Sequence, residues 1–253
     1  MIDLNSDLGE GYGAWTMGDD DALLGIVSSA NIACGFHAGD PQIMRRAAVT
    51  AAHRGVTIGA HVAFPDLRGF GRRNLDLPPQ EVTDDVLYQI GALDAIARAY
   101  GTRVSYVKPH GALYNRIAID AELAAAVVAA LKDFDPTLAL LTLPDSAASA
   151  AAESAGIASV AEGFADRAYT PDGRLVSRRE PGAVLTDPEF VAARAVRMAT
   201  EHTVTAIDGT DIRIPVASLC VHGDSPGAVN LAQAVRTALH EAGVTVAAFS
   251  PPR

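Results

Sequence analysis

Cysteine is scarce in this chain: only Cys34 and Cys220 occur among its 253 residues. Two thiols cannot build a disulfide framework, and their separation fits no zinc motif. Both lie in apolar runs and read as buried thiols. Aromatic residues are few, at 6%, while alanine is abundant, which suits helices packed on a sheet. No apolar stretch reaches the ~18 residues of a membrane span, so no membrane association is expected. The start, "MIDLNSDLGEG", lacks the basic region and apolar run of a signal peptide, and a cytoplasmic location is expected. Basic side chains are in deficit, with 20 Lys and Arg against 30 Asp and Glu and a net charge of −10. That balance opposes general attraction to nucleic-acid phosphates, so no nucleic-acid partner is expected. Also missing are a GxxxxGK[ST] P-loop, a strand-turn-helix GxGxxG, a GxSxG elbow and an HExxH helix.

What is present is a repeated unit. Eight short runs rich in Val, Ile and Leu recur: "MIDLN", "IVSSANIAC", "GVTIGAH", "RVSYVKPH", "LALLTLP", "GIASVAEG", "VASLCVHG" and "VTVAAFSP". Helix-length segments separate most of them. Strands alternating with helices imply βαβ units and a parallel sheet. Eight units in this length predict an α/β fold of the TIM-like (β/α) barrel type. An open doubly wound sheet stays as the alternative, because periodicity does not report closure. Residues 1–253 read as a single barrel domain with long loops at 62–79 and 163–187. In the second loop "TPDGR", flanked by Tyr169 and Leu175, is a turn signal for a small hairpin. Asp40-Pro41, Ser225-Pro226 and Asp187-Pro188 each offer a cap followed by a proline suited to a helix start. "FHAGDP" and "VHGDSP" read as one βα turn built twice.

Ionisable residues collect where the strands end. Asp7 and Glu10 follow the first run. Asn31, His37 and Asp40 lie at or after the second, and His61 ends the third. Lys108 and His110 end the fourth, Asp145 follows the fifth, and Glu162, Asp166 and Arg167 follow the sixth. His222 and Asp224 follow the seventh. In a parallel barrel all these ends share one face, where active sites form. Each residue also has an ordinary reading. Asp40 and Asp145 can be helix caps, His61 a core histidine, Asp7 and Glu10 turn carboxylates, and Arg72 and Arg73 surface charges. Lys108 is harder to explain that way, since lysine is rarely fully buried.

The chemistry these groups support is proton transfer and charge stabilisation. Asp7, Glu10, His37, Asp40, His61, Lys108 and His110 are the candidate catalytic residues. Lys108 is the candidate donor to an oxygen gaining negative charge. Asn31, Arg72, Arg73, Tyr114, Glu162, Tyr169, His222 and Asp224 are the candidate substrate-binding residues. Pro109 is expected to turn the chain out of the strand. Asp7, His37 and His61 could alternatively bind a divalent metal that activates water, although no local motif supports it.

The stretches "DLNSDLGEG", "SANIACGFHAGDP", "GAHVAFPDLRGFGRR", "VKPHGALYN", "AEGFADRAY" and "CVHGDSP" resemble, in order and over nearly the whole chain, the LamB/YcsF family. The resemblance implies a (β/α) barrel related to glycoside hydrolase/deacetylase barrels. It implies the role of a 5-oxoprolinase A-subunit, opening the lactam of 5-oxo-L-proline to L-glutamate with ATP hydrolysis. It also implies 5-oxoprolinase subunits B and C as partners, with ATP bound here or on one of them. Two other readings stay open on the residues: a stand-alone metal-dependent amidase or carbohydrate deacetylase, and a non-catalytic subunit that binds a small acid.

Overall fold

Six of the eight apolar runs become strands in an alternating series, and a seventh closes the sheet. The computed structural model describes residues 1–224 and 227–250. In chain order the first half comprises β1 (Asp3–Leu8), α1 (Asp20–Leu24), β2 (Ser29–Ala33), α2 (Pro41–Arg54), β3 (Thr57–Val62), α3 (Pro79–Ala99), β4 (Val104–Pro109) and α4 (Gly111–Ile117). The second half comprises α5 (Ala121–Phe134), β5 (Ala139–Thr142), α6 (Ala147–Ala155), β6 (Ala158–Phe164), α7 (Pro188–Glu201), β7 (Thr203–Thr205), β8 (Asp211–Arg213), β9 (Ser218–Cys220) and α8 (Ala228–Glu241). The strands form a closed barrel in the order β1-β2-β3-β4-β5-β6-β9. Every pairing in it is parallel, including β9 with both β1 and β6, so all C-terminal ends face one rim.

The count differs from the eight strands expected. The last run, "VTVAAFSP", supplies only an isolated bridge from Val246 to Ile2. The β9–β1 pairing has already closed the sheet, so no free edge remains for it. Its continuation packs against the barrel instead. Phe249 lies edge-on to Tyr106 at 5.0 Å, and the Ser250 carbonyl accepts from the Thr57 hydroxyl at 2.8 Å. The antiparallel pair β7–β8 was not evident in the apolar pattern. Pro109 also stays within β4, paired with Val62, and the chain leaves one residue later. The Tyr169–Leu175 hairpin forms as its turn residues indicate, with Thr170 N–H donating to Arg174 O at 2.8 Å.

Helix starts follow their caps where cap and proline adjoin. Asp40 accepts from the N–H groups of Gln42 and Ile43 with Pro41 opening α2, and Asp187 does the same for α7 before Pro188. Asp145 is not a cap: it takes a φ of 52°, and Ser146 caps α6 through a reciprocal pair with Ser149. Ser225-Pro226 lies outside the described residues, and α8 starts at Ala228 after Gly227 without a side-chain cap. Asp40→Ala is expected to cost about 0.5–2 kcal/mol in urea unfolding. An unchanged midpoint would show that its bonds to Gln42, Ile43 and Gly13 contribute nothing.

The apolar core lies between barrel and helices, while the barrel interior is polar. Along β1, Leu4 and Leu8 join the apolar core, and Asp3, Asn5 and Asp7 face inward. Asn5 donates to Glu162 on β6 at 2.9 Å, across the intervening β9. Asp3 accepts from Ser29 at 2.7 Å and from Ser218. Tyr106 donates to Asn31 Oδ1 at 2.7 Å. Barrel interiors are usually filled by branched apolar side chains. Here a column of polar side chains hydrogen-bonded across strands fills that space, and each such bond offsets the cost of burying its partners.

Candidate active site

Lys108 sits at the top of that column, 2% exposed. Its ammonium lies 2.9 Å from Asp7 Oδ1, 2.9 Å from Glu162 Oε1 and 3.1 Å from Cys220 Sγ. Burial alone would discharge the amine, but Asp7, Cys220 and Glu162 raise its pKa well above the ordinary lysine value. An ammonium has three donors, and its hydrogen bonds run to Asp7, Cys220 and, at 3.4 Å, Asn5 Oδ1, with Glu162 beside them as an ion pair. Lys108 is therefore placed to hold Asp7 rather than to donate to a substrate oxygen. Asn31 supports the arrangement from below, donating to Asn5 Oδ1 at 2.7 Å and to Asp7 Oδ1 at 2.9 Å. Burial opposes the charge on Asp7, yet His61 and Lys108 outweigh it and hold its carboxyl well below the usual range.

Three histidines gather around Glu10: His37 after β2, His61 within β3 and His110 between β4 and α4. His37 Nε2 and His110 Nδ1 each lie 3.2 Å from Glu10 Oε1, and His61 Nε2 lies 3.7 Å from it. His61 Nε2 is also 3.4 Å from Asp7 Oδ2. His61 Nδ1 meets the Lys108 carbonyl at 2.9 Å, and His110 Nε2 meets the Phe70 carbonyl at 2.9 Å. A carbonyl only accepts, so these nitrogens carry the hydrogens and fix both tautomers. Burial opposes a charge on His61, but Asp7 and Glu10 outweigh it and raise its pKa. Burial and the adjacent His110 push His37 down to about 3. His110 is lowered by burial despite Glu10. The local chain geometry behind this is demanding. Gly111 takes a φ of +56°, and a Cβ there would lie 2.6 Å from the Gly71 carbonyl. That approach lets the 69–73 loop pack on His110.

Above this floor opens a cavity of about 530 Å³, within the usual range for small-ligand sites. Asp7, Glu10, His61, Lys108 and His110 lie at its base, and Tyr114, Phe164 and Leu143 contribute to its walls. Arg72, Arg167, Arg174, Arg178 and Arg179 also line it, a local cationic wall in an acidic protein. His222 Nδ1 pairs with Asp166 at 2.8 Å, and its ring stacks on Phe164 at 5.4 Å. Burial opposes the charge of Asp166, but His222 outweighs it and lowers the carboxyl pKa. Asp224 pairs with Arg72 at the cavity.

Most of the residues singled out in the sequence converge here. Asp7, Glu10, His61, Lys108, His110, Arg72, Tyr114, His222 and Asp224 line the cavity. His37 touches it through Glu10, and Asn31 and Glu162 stand beneath the floor. Three do not reach it. The Asp40 carboxylate is occupied by backbone N–H groups at the start of α2. Arg73 is tied to Asp66. Tyr169 is fully buried, and its hydroxyl accepts from Phe164 N–H at 2.8 Å. Asn5, Cys220, Arg174, Arg178 and Arg179 were not among the expected site residues. The polar alternation Asp3, Asn5, Asp7 in β1 was the available signal for Asn5. Among the described residues, Tyr114 Oη and Glu162 Oε2 are two of the eight buried side-chain polar atoms without a hydrogen-bond partner.

Comparison with known proteins bears on the fold and the family. A Kocuria rhizophila protein named as a 5-oxoprolinase A-subunit is 59% identical over 250 residues, covering 99% of each chain. An Agrobacterium fabrum protein, also named as a 5-oxoprolinase A-subunit, is 58% identical over 252 residues, covering 100% of this chain and 99% of its own. The crystal structure of a lactam utilization protein from Thermus thermophilus superposes with a TM-score of 0.93 at 49% identity, covering 98% of this chain and 99% of that one. A family 4 carbohydrate esterase from Streptomyces lividans reaches a TM-score of 0.51 at 10% identity, covering 99% and 93% of the two chains, and shares the barrel fold alone. Residues 2–253 match the LamB/YcsF family model, and the chain belongs to the LamB/YcsF family.

Proposed function

We propose that this chain is the A-subunit of an ATP-dependent 5-oxoprolinase, working with subunits B and C to hydrolyse 5-oxo-L-proline to L-glutamate. The names of its relatives support the subunit role. The observation that carries the chemistry is the pairing of Asp7 with His61 at 3.4 Å on the floor of an arginine-lined cavity. A lactam carbonyl is a poor electrophile. Phosphorylation of its oxygen by ATP activates the ring carbon; water adds there, the C–N bond opens to leave an acyl phosphate, and a second water releases phosphate and the free carboxylate of L-glutamate. Asp7, which His61 holds in place, takes the proton from the first water, and the ring nitrogen gains one as it leaves. The arginine wall is suited to the substrate carboxylate or the transferred phosphate. No P-loop is present, so ATP binds on a partner or in a site of another type. The free, buried thiols Cys34 and Cys220 suit a reducing compartment such as the cytoplasm. Among the described residues no helix is long and apolar enough to cross a membrane.

The test is glutamate formation from 5-oxo-L-proline with and without ATP, using this chain alone and with subunits B and C. Glutamate that requires ATP and the partners is expected. Asp7→Asn and His61→Ala should each reduce it by roughly 10²–10⁴-fold while the fold is retained. Full activity in both variants removes this pair from the chemistry. No glutamate under any condition, with all three proteins folded, overturns the substrate assignment.

A further inference from the structure

When His61 and His110 are both neutral, three acceptor atoms face one another at the base of the cavity. The Lys108 and Phe70 carbonyls take the hydrogens of His61 Nδ1 and His110 Nε2. In the neutral rings, His61 Nε2 and His110 Nδ1 are then lone pairs, yet they stand 2.9 Å apart. Glu10 Oε1 lies 3.7 Å from the first and 3.2 Å from the second. All are buried. Such a set needs a cation at its centre. A proton satisfies one pair of acceptors; a divalent ion satisfies all three.

The spacing suits a metal. A tetrahedral ion with ligands at about 2.0–2.1 Å sets its donor atoms roughly 3.3 Å apart. The His61 and His110 rings meet at 90°, so their in-plane lone pairs can converge on one point. His37 differs. Its ring stacks on His110 at 3.9 Å with planes 9° apart, and parallel planes cannot both contain one ion. His37 instead donates to Glu10 from Nε2 at 3.2 Å and positions that carboxylate. The backbone carbonyls behind His61 and His110 serve as the outer partners that metal-binding imidazoles regularly have. We infer that Glu10, His61 and His110 form a binding site for one divalent transition-metal ion of the zinc class, with His37 as a positioning residue. The inference does not depend on which substrate the cavity takes.

The test measures binding and needs no turnover. Chelator-treated protein is titrated with zinc(II) by calorimetry and with cobalt(II) by visible absorption. One ion per chain is expected, with a cobalt spectrum of nitrogen and oxygen ligation. His61→Ala, His110→Ala and the shape-conserving Glu10→Gln should each weaken zinc(II) by more than about 100-fold, and His37→Ala by about 10–100-fold, as for an outer partner. Circular dichroism checks that each variant is folded, and Glu10→Gln carries the test if a histidine variant is not. Cys220→Ser should leave affinity unchanged. No saturable binding to the wild-type chain overturns the inference. So does a thiolate-to-cobalt charge-transfer band that Cys220→Ser abolishes, which would put the ion among Asp7, Cys220 and His222, the second group of metal-capable side chains.

Discussion

Lys108→Met will remove about 3–5 kcal/mol of stability, the usual consequence of deleting one partner of a buried ion pair. Methionine replaces most of the aliphatic stem, so the loss is mainly electrostatic. Asp7 and Glu162, each 2.9 Å from the ammonium, are left in the barrel without it. The pH dependence identifies the cause. Lys108 helps hold the Asp7 carboxyl below its ordinary value. A depressed carboxyl stabilises the fold above its unfolded pKa, and that contribution is lost as pH falls through the folded value. The gap between wild type and variant should therefore be largest near neutrality and shrink below about pH 4. Urea unfolding across that range measures it. Glutamate formation should fall by roughly 10²-fold, because Asp7 loses the group that orients it. A deficit under about 1 kcal/mol with full activity would rule out the network as described.

Gly59→Ala will be nearly as damaging, for a steric reason. A Cβ at Gly59 would lie 2.2 Å from Cε2 and Cζ of Tyr106. That ring is fully buried against Ala139 and Leu141 and has nowhere to move without disturbing Phe249. Overpacking of this kind typically costs about 1–3 kcal/mol, occasionally more. The consequence reaches the site. Tyr106 donates to Asn31 Oδ1 at 2.7 Å, and the Asn31 amide holds Asp7 at 2.9 Å. Stability and glutamate formation should fall together. Tyr106→Leu removes the offending ring, so the double variant should be more stable than the sum of the single losses, with a coupling above about 0.5 kcal/mol. A Gly59→Ala midpoint equal to wild type would mean that the ring yields freely.

Much of this protein was legible locally. Alternating apolar runs and helix-length segments predict βαβ units, and Asp40-Pro41 and Asp187-Pro188 mark two helix starts. "TPDGR" marks its hairpin. The collection of Asp, His and Lys at strand ends follows once the strands are parallel, since parallel strands deliver their C-termini to one rim. Each of these rests on hydrogen bonds and φ preferences between neighbours in the chain, which a short stretch encodes by itself.

Other features depend on distant partners. Seven strands rather than eight close the barrel because β9 pairs with both β1 and β6, which no property of "VTVAAFSP" reveals. Lys108 reads alike in sequence whether its ammonium is free or spent, and Asp7 and Glu162 decide that from strands far away. Asp7 and Asp40 are both acids after an apolar run. One ends in the cavity and the other on backbone N–H groups at the start of α2. Tyr169 and Arg178 belong to one loop, yet packing turns the first inward and leaves the second along the cavity. The sequence by itself determined the units, their caps and the residue types of the rim, because those are short-range preferences. Only the tertiary structure decided the closure, the direction of each polar side chain and the tautomers around Glu10, because each is set by groups brought together from remote parts of the chain.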